Sequence, residues 1–121
     1  AGHAMFYMIT SLFGFAHGHA AMLCDHVLYF WMVENTAKCI DPRGEDYLKN
    51  TLNELGVILG GNNALDGAKK LEDILKKLEL AVPSVSEEQY EILKNSVNPV
   101  RLKNHPIGLD IPTIEELYRK M

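Results

Sequence analysis

Four of the five histidines in this sequence, His3, His17, His19 and His26, fall within its first 26 residues, and His105 stands apart. Imidazoles gathered in this way could hold a divalent metal ion. Each ligand nitrogen must then lie about 2.0–2.1 Å from the ion. On one continuous helix, His3 and His17 would be separated by roughly 21 Å, at about 1.5 Å rise per residue. They can share an ion only if the chain doubles back between them. Ser11-Leu12-Phe13-Gly14-Phe15 is the place for such a reversal. His17 would then open a second helix, with Gly18 allowing close backbone approach. His19 faces away from His17 if both begin the same helix, since positions two apart do not share a face. His26, mid-helix beside Asp25, is expected in an aromatic-rich packing role. Histidines beside aromatic residues are also ordinary packed groups. On that reading the ring nitrogens of His3 and His17 lie too far apart to share an ion.

The elements that must position these residues read as helices throughout, with no strand. The first runs from Ala1 to about Ile9. A long apolar helix follows from about His17 to Asn35, and its Ala20, Leu23, Cys24, Val27, Leu28, Phe30 and Trp31 cover more than one face, which predicts neighbours on several sides. Asp41-Pro42-Arg43-Gly44 marks a turn. Leu48, Leu52, Leu55 and Leu59 recur at helical spacing until Gly60-Gly61 ends the pattern. Asn63 caps a helix striped by Leu65, Ala68, Leu71, Ile74, Leu75 and Leu78, with Lys69, Lys70, Glu72, Asp73, Lys76 and Lys77 on its solvated face. Ser86 and Gln89 form a capping box for a short helix through Tyr90, Leu93 and Val97. A loop holding Pro99, Pro106 and Pro112 leads to a last helix. Thr113 and Glu116 are expected to cap it, and Ile114, Leu117 and Tyr118 to face inward. The class is all-α, a bundle of five to six helices.

Composition narrows the partners. At 121 residues with 47% hydrophobic and 23% charged side chains, the chain can bury a core and is not a disordered tail. A net charge of -4 offers no basic footprint for nucleic acid or anionic membrane. The apolar stretch Ala20–Val33 is interrupted by Asp25 and His26 and falls short of the ~20 residues a bilayer span needs. Cys24 and Cys39 imply no disulfide scaffold and read as free thiols in a reducing cytoplasm. The opening Ala1-Gly2-His3-Ala4-Met5 has neither initiator Met nor leader. It runs directly into a helical pattern, as a piece of a longer protein would.

Gly2-His3-Ala4-Met5, followed by Ala16-His17-Gly18-His19-Ala20, resembles the signature of the iron-containing (group III) alcohol dehydrogenases. In that family a metal-binding histidine is followed fourteen residues later by a second one, in a His-Gly pair that opens a long apolar helix. Asn98-Pro99, Asp110-Ile111 and Ile114-Glu115-Glu116-Leu117-Tyr118 are similar to the family's carboxy terminus, so the resemblance covers essentially the whole chain. It implies that residues 1–121 are the C-terminal helical metal and substrate domain of a dehydroquinate synthase-like fold, with His3 and His17 as metal ligands. The family's other ligands, an aspartate and a histidine, lie upstream of this sequence. So does its Rossmann-like NAD(P)-binding half, and no GxGxxG occurs here. Where members carry a further histidine four residues after the first ligand, this sequence has Tyr7, either a hydroxyl donor in the pocket or, as the preferred reading, a space filler. Tyr7, with Ile9–Gly14 and Asn98–Asn104, resembles the phosphonoacetaldehyde reductase subgroup. Glycerol dehydrogenase and dehydroquinate synthase relatives space their ligands differently.

The reaction implied by the resemblance is reversible hydride transfer between NAD or NADP and a small alcohol or aldehyde. Fe2+ or Zn2+ would polarise the carbonyl. For a phosphonate-bearing aldehyde, Arg101 and Lys103 are the candidate anion partners, against the alternative of an exposed basic loop with no specific role. The chain alone is expected to be inactive, and to expose apolar surface where the absent domain docks, with self-association as a consequence. The competing class is a stand-alone helical interaction module without catalysis.

Overall fold

Ala, Met, Phe, Ile and Leu crowd the first thirteen positions, and the computed structural model, which describes residues 1–121, folds them into α1 (Gly2–Phe13). The helix runs one turn beyond the expected end near Ile9. Ser11 is accommodated because its hydroxyl donates back to the Tyr7 carbonyl at 3.3 Å, the usual way a mid-helix serine satisfies itself. Gly14 then stops the helix in the left-handed region (φ 68°), its N–H donating to Thr10 O. Gly14 to Ala16 form the reversal, and α2 (His17–Glu34) begins at once. A 3-10 turn (Thr36–Lys38) leads to α3 (Glu45–Ile58), α4 (Ala64–Leu78), α5 (Glu87–Ser96), the single turn α6 (Pro99–Leu102) and α7 (Ile111–Arg119). Six helices of nine residues or more, with the short α6, make an all-α protein as expected. The extended pairing present is one isolated bridge, Cys39 with Ile107.

The expected caps at Asn63 and at Ser86–Gln89 form. Asn63 accepts from the Asp66 N–H at 2.9 Å, and both halves of the Ser86–Gln89 box are made. Thr113 does not cap α7. Asp110 does, accepting from the Thr113 N–H at 2.9 Å, so the helix begins three residues earlier than expected. The reason is Pro112: in the first turn a proline has no N–H to leave unsatisfied and its φ already suits the helix. Asn98 similarly caps α6, where a plain loop was expected.

The chain forms two compact units. The first comprises residues 1–28, 81–105 and 109–121. In it α5 packs on α7 and on α1. Met5, Ile9, Leu93 and Leu117 are fully buried, each worth about 2 kcal/mol of apolar burial. The buried Tyr118 hydroxyl donates to Met5 O at 2.8 Å, so α7 ties directly to the helix that carries His3. Burial pushes the Tyr118 phenol well above its ordinary pKa.

The second unit comprises residues 29–80 with 106–108. Its α3 and α4 approach at glycines: a Cβ on Gly67 would fall 2.2 Å from the Gly56 Cα, and a Cβ on Gly56 2.2 Å from Asn63 O. Tyr29 donates to Leu52 O at 2.8 Å inside this unit, and Ile40 N–H donates to Pro106 O at 2.8 Å. The leucine stripes are not inward throughout. Leu48, Leu52, Ala68 and Leu75 are buried, but Leu55, Leu65, Ile74 and Leu78 are exposed, and Ile58 is 79% exposed. The glycine contact draws only one narrow line of each helix against the other, and the flanks of the stripes extend past it.

In α2, Ala20, Leu23, Cys24, Val27, Leu28 and Trp31 are buried along one side and Tyr29 on the opposite side, so the helix buries more than one face, as expected. Phe30 on its flank is only half-buried. None of the helices is long and apolar enough to cross a membrane.

Candidate metal centre

Two local devices place the histidines. His3 occupies the first turn of α1 and His17 is the first residue of α2, and the Gly14–Ala16 turn between the helices lets the two rings meet. Within the first unit, the two imidazoles come to a centroid separation of 5.8 Å with an interplanar angle of 61°. A metal-bound imidazole has its centroid about 3.2 Å from the ion, from a bond of about 2.0–2.1 Å and the radius of the ring. Two rings on one ion therefore cannot have centroids more than roughly 6.4 Å apart. The observed separation lies within that bound, so the distance between the rings permits a shared cation. Both side chains are exposed, which leaves room for further ligands.

Phe6 completes the cluster. It lies three residues after His3, on the same helix face. Its ring stands nearly perpendicular to both imidazoles, 4.8 Å from His3 at 76° and 4.6 Å from His17 at 82°. Unlike the histidines it is buried, at 4% exposure. The sequence reading passed over Phe6 as one more apolar residue. Its offset of three from His3 was the available signal.

Asp25, on α2, comes so close to the start of α1 that a Cβ on Gly2 would fall 1.7 Å from its Oδ1. A side chain at position 2 would require the Asp25 carboxylate to move aside. Burial pushes the Asp25 carboxyl above its usual range, while the amino terminus and His3 pull it down, which places its charge within electrostatic reach of the His3 ring. Among the described residues, no group of three or more His, Cys, Asp or Glu side chains could hold an ion.

The remaining candidates lie outside the cluster. Tyr7, one turn after His3, is 61% exposed. Arg101 on α6 and Lys103 just after it are exposed and take no part in the ring cluster. His19 is turned away, as expected: its ring stacks on Phe15 at 4.4 Å and its Nε2 is 2.7 Å from Ala81 O, between α4 and α5. His26 bonds through Nδ1 to Met22 O at 3.1 Å, a contact within its own helix and not with an aromatic cluster. His105, apart from the other histidines in sequence, is buried just after α6, with its backbone N–H donating to Leu102 O.

No protein-family model matches the chain, and no curated protein or solved structure matches it either.

Proposed function

We propose that this chain is the carboxy-terminal, metal-holding helical domain of an NAD(P)-linked alcohol dehydrogenase or aldehyde reductase of the iron-containing type. The observation that carries the reading is the 5.8 Å approach of His3 and His17, two imidazoles fourteen residues apart in sequence, across a tight reversal. The signature Gly2-His3-Ala4-Met5…His17-Gly18 supports it independently, as a likeness of motif.

In the full-length enzyme a bound ferrous or zinc ion supplies Lewis-acid polarisation of the carbonyl, and a nicotinamide supplies the hydride. His3 and His17 contribute neutral imidazole nitrogens. The other donors and the nucleotide site belong to an upstream domain. Tyr7 shares the His3 side of α1 at a four-residue offset and offers its exposed hydroxyl to the substrate side of the site. Arg101 and Lys103 are the candidate partners for a phosphonate group, should the aldehyde carry one. A cytoplasmic setting and self-association through exposed apolar surface belong to the same proposal.

The test is metal binding and turnover by the 121-residue chain. Co2+ should bind weakly, with an affinity that falls at least tenfold in His3→Ala and in His17→Ala, and no NAD(P)H-dependent aldehyde reduction should be detectable. Turnover by the chain alone would refute its role as a partial enzyme. Wild-type binding no stronger than that of the alanine variants would remove the metal site. The exposed apolar face of α3 and α4 also suits a stand-alone helical interaction module. Such a module would bind its partner equally well with both histidines replaced.

A further inference from the structure

We propose that Phe6 is the positioning residue that sets the spacing and relative tilt of the His3 and His17 imidazoles, so that the pair is ordered before a cation arrives. The inference rests on the metal-holding reading of the pair. An exposed histidine turns about two side-chain bonds, and binding an ion must immobilise both rings. A chelating pair held in place beforehand avoids part of that cost. Phe6 is the element available to hold them. It is buried within α1 while both histidines are exposed, so it is the fixed member of the three. It meets His3 at 76° and His17 at 82°, and both are edge-to-face contacts of the kind aromatic rings favour. With each imidazole in perpendicular contact with the same buried ring, the place of Phe6 constrains the 5.8 Å separation and 61° tilt of the pair. An aliphatic residue of similar bulk would fill the volume but has no ring quadrupole to orient its neighbours.

The experiment compares wild type, Phe6→Leu and His17→Ala in the full 121-residue chain. Zn2+ affinity is read by calorimetry, the ligand-field spectrum from the Co2+ complex, and helicity and melting temperature from circular dichroism. The expected result is roughly a tenfold loss of Zn2+ affinity in Phe6→Leu, the scale seen when residues that orient metal ligands are removed. The Co2+ bands should also shift while helicity is retained, a change that altered core packing alone would not produce. If Phe6→Leu binds Zn2+ as wild type does, with unchanged Co2+ bands, the positioning role is overturned and the metal pair stands. If wild type binds no better than His17→Ala, the metal reading falls and this inference falls with it. Should Phe6→Leu fail to fold, Phe6→Met carries the same comparison with a more adaptable apolar filler.

Discussion

Cys24 shows how strongly one side chain's chemistry depends on its surroundings. It is fully buried, its thiol donates to Met121 Sδ at 3.9 Å, and burial, with the Asp25 charge adding to it, raises its pKa to about 12. The thiolate is the reactive form, so this thiol should be inert in the folded chain. Cys39 is partly exposed and both cysteines are free. Ellman's reagent at neutral pH should therefore label one thiol rapidly in the native protein and two in denaturant; rapid labelling of both in the native state would contradict the packing. Because the folded pKa lies above the ordinary thiol value, Cys24 stabilises the fold fully below that value. The contribution is lost as pH rises through about 12, so unfolding should become easier on the alkaline side. His3 and His17 offer the opposite case, exposed and adjacent, with chemistry that depends on geometry more than burial.

Among the elements, the α3–α4 pair makes the sharpest claim. Replacing a helical glycine by alanine usually gains about 0.5–1 kcal/mol from backbone entropy. At Gly67 the sign should reverse, because the added Cβ would lie 2.2 Å from the Gly56 Cα and backbone atoms cannot swing aside. Overpacking of this kind costs typically about 1–3 kcal/mol, so Gly67→Ala should destabilise by about 2 kcal/mol net in urea unfolding. A neutral or stabilised variant would show that the helices are not in glycine contact. The helices themselves were legible from short-range signals. Periodic leucines, Asn63, the Ser86–Gln89 box and Gly14 each act within four or five residues of chain, and each sits where that local chemistry requires. The start of α7 was misplaced because Thr113–Glu116 and Asp110–Pro112 are both sound local signals, and the proline's preference for the first turn decided between them.

For the whole molecule, the consequence of note is apolar surface left open in the second unit, at Val57, Ile58 and Leu78. Exposure of this kind favours association. Sedimentation should show concentration-dependent self-association that Ile58→Glu combined with Leu78→Glu weakens, whereas a strictly monomeric wild type across the micromolar range would argue against it. The same surface marks the boundary of what the sequence could disclose. The all-α class, the order of the helices, most of their caps and the reversal between His3 and His17 all follow from hydrogen bonding and periodicity along a few consecutive residues, and these the sequence determined by itself. Only the tertiary structure decided that the two imidazoles stop 5.8 Å apart and that Phe6 wedges against both. It also decided that half of an amphipathic pattern stays open. Those outcomes depend on which surfaces meet, at distances set by the sizes of side chains remote in sequence, and a one-dimensional pattern carries no record of that.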